Sequence, residues 1–341
     1  MRKKRVLVLV HADLVPPDDI AGKAEEETIE YKTEYDVVTG LREQGHEVKP
    51  LGLYDDLAPL RSAVADFKPH IVFNLLEEFH GEPMLDQNVV SFLELVRVPY
   101  TGCNPRGLML ARDKALSKKI LHYHRIRVPR FAVVPAGRKL TRKPARLDYP
   151  LIVKSQVEEA SIGLAEASIV YSDEKLAERV AFMHANVGTN LILEQYVDGR
   201  ELYVGVLGHT RLQTLPVWEL EIRNRRADAP MIATRRAKWN RKYQALRGVE
   251  IGRARDLPPE LERLLVKTTK RIYRTLQLSG YARVDFRLDD EGQVYFLEAN
   301  PNPDIGYGEE FAEAAEAAGL DYGPLLDRLI AIGLRKRARL A

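Results

Sequence analysis

GYARVDFRLDDEGQVYFLEANPNPD, residues 280–304, reads as two strands joined by a short polar turn. With Asp289-Asp290-Glu291-Gly292 as the loop, Leu288 faces Gln293, and pairing outward sets Arg283 opposite Glu298 and Asp285 opposite Phe296. Side chains alternate faces along a strand. Arg283, Asp285, Glu298 and Asn300 are therefore expected on one face, with Val294 and Phe296 beside them. Val284, Phe286, Tyr295 and Leu297 are expected on the other, a core face. A solvated outer face usually scatters Lys, Thr and Glu along the strand. Here two carboxylates and an amide cluster among apolar neighbours beside a guanidinium, and oxygen donors of that kind suit magnesium.

The rest of the chain bounds this reading. Its 341 residues suffice for two or three domains, and 45% hydrophobic residues allow a sizeable core. The net charge of +3 supports no global claim about nucleic acid. The single cysteine, Cys103, excludes an intramolecular disulfide and fits a reducing cytoplasm. The N-terminal apolar run stops at Val10, too short for a signal peptide or a membrane span, and reads as a buried first strand. Charge is unevenly spread: residues 223–255 hold eleven Lys/Arg and two acids, a local +9, leaving −6 elsewhere. That segment, poor in apolar positions, reads as a long loop or flap.

The first hundred residues alternate strand and helix: RVLVLV, a helix over 29–44 ending at Gly45, HEVKPLGL, a helix in LRSAVADF, PHIVFNLL, and a helix over 86–96 with Asp86 as its N-cap. This is a doubly wound α/β unit without the Gly-x-Gly-x-x-Gly turn of dinucleotide sites. ARDKALSKKILHYHRI follows as a helix capped by Asp113. PLIVKSQ, ASIVYS, LILEQYV, ELYVGVLG and RLQTLPVWELEI are strands of an α+β pattern, with a helix over 173–185 among them. Helical spacing returns over 260–276, and a final helix is expected over 309–334.

Lys154 ends the apolar run Leu151-Ile152-Val153, where an ammonium is costly unless it meets an anion. A snorkelling strand-end lysine is the bland alternative. Glu194 ends a second apolar run and Glu201 follows seven residues later. A strand-end lysine, a small-residue loop (SQVEEASIGLAEAS), LEQYVDGRE, a basic flap with Lys238, and ARVDF followed by FLEANPNP come in the order of an ATP-grasp enzyme. The chain most resembles the D-alanine–D-alanine ligase family within that superfamily. LELVRVPYTGCNPRGLMLARDKALSKKIL is similar to that family's domain junction, and His80-Gly81 precedes it at the expected distance. The resemblance implies an α/β and α+β architecture, an ATP-grasp fold behind an N-terminal pre-ATP-grasp domain: 1–108, a central subdomain 109–197, and a C-terminal subdomain 198–341 carrying the flap 223–255.

The resemblance also implies roles. Lys114 and Lys154 would hold the α- and β-phosphates of ATP. Glu194 would accept from the adenine amino group, and the Val197 backbone would meet the ring edge. Glu201 would bind the ribose hydroxyls, and Lys238 would close over the γ-phosphate. Asp285, Glu298 and Asn300 would hold two magnesium ions. Arg283 would steady the oxyanion formed when an amine attacks an acyl phosphate. His80, Ser161, Trp239, Asp304 and Glu309 would line the substrate side.

The chain departs from the family pattern at that side. Asp304 stands where the turn after the metal-binding Asn usually has glycine, Glu309 near where a serine is expected, and Trp239 where a tyrosine follows the flap lysine. The small-residue loop retains Ala160-Ser161, preceded by Glu158 and Glu159. These departures point away from two D-alanines, and the basic flap points to an acidic or peptide-like acid joined to an amine. A D-alanine–D-alanine ligase of cell-wall biosynthesis with a divergent pocket is the alternative. A non-catalytic nucleotide- or nucleic-acid-binding protein is the alternative of another class, and the flap offers it few stacking aromatics, Trp239 and Tyr243. The expected partners are ATP, a small-molecule or peptide carboxylate and an amine, without membrane or nucleic acid. A homodimer is left open.

Overall fold

The structure, a computed structural model, describes residues 2–157, 165–224, 232, 244 and 246–340. Strands β1 (Arg5–His11), β2 (Glu47–Leu53) and β3 (Ile71–Asn74) form a parallel sheet in the order β2-β1-β3. Helices α1 (Glu25–Thr28), α2 (Lys32–Glu43), α3 (Ala58–Phe67) and α4 (Asp86–Leu95) connect and cover it. The central strand is apolar on both sides because both sides are buried. Leu7 and Leu9 enter one core, while Val6, Val8 and Val10 enter another with Val37 and Leu41 of α2. Gly45, just beyond α2, has φ +80 and ends that helix as expected. Asp86 is not an N-cap. It lies inside α4, 3% exposed, and accepts from Arg112 Nη2.

Helices α5 (Pro105–Arg112) and α6 (Lys114–Tyr123) meet at Asp113, whose Oδ1 accepts from the N–H groups of Ala115 and Leu116, both at 2.9 Å. The next sheet runs β4-β7-β5-β6, antiparallel, from β4 (Phe131–Val134), β5 (Leu151–Ser155), β6 (Ile169–Val170) and β7 (Leu191–Gln195), with α7 (Asp173–Asn186) packed on it. β4 was not expected; four residues give too short a run to show alternation. The third sheet is antiparallel in the order β10-β9-β8-β11-β12, from β8 (Arg200–Gly208), β9 (Gln213–Ile222), β10 (Val249–Arg253), β11 (Gly280–Leu288) and β12 (Val294–Pro301). Helix α8 (Pro259–Thr275) buries Leu265 and Ile272 against it. The supposed loop 223–255 thus contains a strand, β10, paired to β9 through Ile251 opposite Leu220. The single final helix is two, α9 (Glu310–Glu316) and α10 (Tyr322–Leu340), separated at Gly319 with φ +79. Among the described residues no helix is long and apolar enough to cross a membrane.

The hairpin β11–β12 corrects the expected register. Arg283 pairs with Asn300 and Asp285 with Glu298; then the ladder slips, and Phe286 pairs with Phe296 and Leu288 with Val294. Leu297 is the extra residue of a β-bulge. The turn takes five residues because the Asp289 carboxylate accepts from the N–H groups of Glu291 and Gln293, drawing Gln293 out of the strand. Arg283, Asp285, Glu298 and Asn300 still share one face. Phe296 and Val294, expected beside them, instead turn to the core with Phe286 and Leu288, and Tyr295 pairs with Arg287 on the polar side.

Candidate active site

The polar face of β11 and β12 is a closely bonded set. Arg283 Nε and Nη2 donate to Asp285 Oδ1 and Oδ2 at 2.8 and 2.9 Å, and Asn300 Nδ2 donates to Asp285 Oδ2 at 2.9 Å. Arg283 Nη1 reaches Glu310 Oε2 on α9 at 2.7 Å, and the guanidinium lies 4.9 Å from the Tyr203 ring centre. Glu298 faces Lys114, whose Nζ is 3.5 Å from Glu298 Oε2.

Lys114 and Lys118 are four residues apart on α6, so both point at the hairpin. Lys118 is fully buried, donates to the Leu297 carbonyl exposed by the bulge, and sits 2.9 Å from Glu194 Oε1. Lys154 Nζ lies 3.3 Å from Glu194 Oε2. Buried charge of this kind persists only when paired. Burial opposes ionisation of Glu194, but the Lys118 and Lys154 ammonium groups outweigh it and hold its pKa below the ordinary value. Burial likewise opposes the charge on Lys154, and Glu194, Glu298 and Glu201 outweigh it and hold that pKa above the ordinary value. Lys154 is therefore no snorkelling surface residue.

Glu201 on β8 lies opposite Arg287 on β11, accepting from Arg287 Nη2 at 2.7 Å and from Tyr203 O–H at 2.9 Å. Lys118, Arg287, Tyr203 and Glu310 are members that sequence reasoning missed. Two carried a signal: Lys118 repeats Lys114 one turn on, and Arg287 shares the strand parity of Arg283 and Asp285.

The other candidates lie outside this network. Val197 lines a cavity of about 650 Å³ with Arg127, Gln195, Gln293 and Tyr295. None of the network's lysines or carboxylates lines that cavity, so it lies beside the polar set and is not its centre. His80 is exposed, its ring stacked on Tyr54 with centroids 6.0 Å apart, a different set of partners from the hairpin's. Asp304 Oδ1 accepts from Thr33 Oγ1 at 2.7 Å and from the Gly306 N–H at 2.9 Å, tying α2 to the turn after β12. Glu309 precedes α9, and its pKa is pushed up to about 7 by burial and then by Asp304. Glu34, a further missed residue, is 7% exposed and is also pushed up to about 7, by burial and then by Asp304 and Asp36. Lys238, Trp239 and Ser161 lie outside the described residues.

The donor set of the hairpin face fits magnesium. Among the described residues no group of three or more His, Cys, Asp and Glu is arranged for a metal. Two carboxylates and an amide are what a magnesium ion takes when phosphate oxygens and waters complete its shell. The cations Arg283 and Lys114 rest on these same carboxylates, so the structure itself places positive charge there.

The comparisons agree with the fold. The family model for the C-terminus of D-ala D-ala ligases matches residues 122–331. A D-alanine–D-alanine ligase of Syntrophotalea carbinolica is 30% identical over 339 residues, spanning 98% of this chain and 98% of that protein. The uncharacterized protein y4sG of Sinorhizobium fredii is 30% identical over 312 residues, spanning 88% of this chain and 87% of that protein. The crystal structure of a Bacillus anthracis D-alanine–D-alanine ligase complexed with ATP matches with a TM-score of 0.75 at 23% identity, covering 99% of this chain and 100% of that one. By sequence and by fold, the chain belongs to the D-alanine–D-alanine ligase family, whose members are ATP-dependent, ADP-forming ligases built on the ATP-grasp fold.

Proposed function

We propose that this chain activates an acidic or peptide-like carboxylate as its acyl phosphate and joins it to an amine that carries a second amine or an amide. The observation that carries the reading is the cross-strand pair Asp285 and Glu298 lying under the cations Arg283 and Lys114, continuous with Lys154 and Glu194. Lys114 and Lys154 hold the α- and β-phosphates. Glu194 keeps Lys154 in place and meets the adenine amino group, the Val197 backbone meets the ring edge, and Glu201, oriented by Arg287 and Tyr203, takes the ribose hydroxyls. Asp285, Glu298 and Asn300 would hold magnesium, which supplies charge neutralisation and polarisation of the γ-phosphoryl group. Arg283 stabilises the oxyanion as the amine attacks, and Lys238 covers the γ-phosphate. The units 1–108, 109–197 and 198–341 each carry one sheet, and the nucleotide lies between the last two.

The acceptor end supports an amine other than D-alanine. Glu34, Asp304 and Glu309 gather there, and a carboxylate-bearing acceptor would meet like charge in a poorly solvated place. The basic segment, with Arg235, Arg236, Arg241 and Lys242 outside the described residues, favours an acidic donor. Joining of two D-alanines is the second reading, favoured by the name of the Syntrophotalea carbinolica relative. Asp285→Asn and Glu298→Gln test the shared chemistry: each should abolish ADP formation while the thermal melt stays within a few degrees. Full turnover by either variant would refute the metal assignment.

A further inference from the structure

We propose that Glu310 is a positioning residue, holding Arg283 in place when Asp285 is given over to the metal. The inference rests on the metal reading above. Arg283 is anchored at both ends of its guanidinium. Nε and Nη2 occupy both oxygens of Asp285, and Nη1, the nitrogen not used there, is held by Glu310 at 2.7 Å. The three side chains are largely withdrawn from water, with exposures of 14% for Arg283, 3% for Asp285 and 15% for Glu310.

A carboxylate that accepts from a guanidinium on both oxygens, and from Asn300 on one of them, cannot also offer them fully to a divalent ion. Metal and guanidinium therefore compete for Asp285. Losing Arg283 altogether would remove the cation that meets the oxyanion. Glu310 resolves the competition because its contact is independent of the two Asp285 contacts. The guanidinium turns about Nη1, releasing Asp285 to the metal, and keeps an anionic partner and the Tyr203 ring at its face. Glu310 belongs to α9, outside the hairpin, so its position does not follow rearrangement of β11 or β12.

The test reads metal affinity without turnover. Mn²⁺ is titrated into the full chain with a non-hydrolysable ATP analogue and followed by electron paramagnetic resonance. In Glu310→Ala the Mn²⁺ Kd should rise about tenfold, because Asp285 becomes the sole carboxylate of Arg283. ADP release should lose tenfold or more in kcat with the KM for ATP within twofold. Glu310→Gln keeps the volume and an acceptor oxygen but loses the charge, and its Mn²⁺ Kd should rise about threefold. Unchanged Mn²⁺ affinity in Glu310→Ala overturns the inference. If that variant does not fold, unchanged affinity in Glu310→Gln overturns it. Failure of the unsubstituted chain to bind Mn²⁺ with the nucleotide overturns the metal reading beneath, before any variant is made.

Discussion

Replacing Glu34 with Gln should stabilise this protein at alkaline pH. Glu34 sits in the first turn of α2, 7% exposed. Burial raises its pKa from an ordinary 4.5 to about 7, its own backbone N–H opposing and Asp304 and Asp36 reinforcing. At 1.36 kcal/mol per pH unit this difference amounts to about 3 kcal/mol. Below pH 4.5 the carboxyl is protonated in the folded and unfolded chains alike, and ionisation costs nothing. Above about pH 7 it is ionised in both, and the folded state bears the full cost. Stability is therefore lost as pH rises from about 4.5 to about 7. Gln cannot ionise, so the variant should match the parent near pH 4 and exceed it by up to about 3 kcal/mol at pH 8. Urea unfolding of both proteins at the two pH values measures this, and the difference between them cancels the titrating groups not coupled to Glu34. A variant less stable than the parent at pH 8, or a difference independent of pH, would refute the reasoning. Under the proposed function, a cationic acceptor near Asp304 would favour the ionised forms of Glu34 and Glu309, so its binding near pH 6.5 should release protons.

Two further outcomes are expected. Lys118→Met leaves Glu194 buried with Lys154 alone and should lower stability by about 3 kcal/mol or more, read in a urea melt; an unchanged melt would mean the buried pair is energetically neutral. Glu309→Ser removes a carboxylate from the acceptor end and should raise the small activity with a free amino-acid acceptor, measured as ADP release; an unchanged or lower activity would place Glu309 outside the acceptor pocket.

How far the sequence carried depended on the range of the interaction. Strand parity alone put Arg283, Asp285, Glu298 and Asn300 on one face, and that survived because a two-residue shift preserves parity. The bulge at Leu297 did not announce itself: it depends on Asp289 drawing Gln293 into the turn and on Lys118 taking the Leu297 carbonyl, and the second of these partners comes from α6. Phe296 was misplaced for that reason. Glu310 meets Arg283, and Glu34 meets Asp304, only through the packing of α9 and α2, and no local spacing reports such a meeting. Asp86 looked like a cap by residue type, but the buried Arg112 offered it a stronger partner. Residue roles towards ATP came from the resemblance; spacing supplied only the chemistry of the donor set.

The mass of the product formed with stoichiometric ADP release distinguishes the two substrate readings most sharply. The unmodified protein is incubated with ATP and magnesium, once with D-alanine alone and once with a panel of acidic acids and short acidic peptides plus a diamine or basic amino acid. Background ADP release is expected with D-alanine, and with the second mixture a product whose mass equals acid plus amine less one water, one ADP for each. Efficient formation of D-alanyl-D-alanine, with no condensation in the second mixture, would contradict the proposed function.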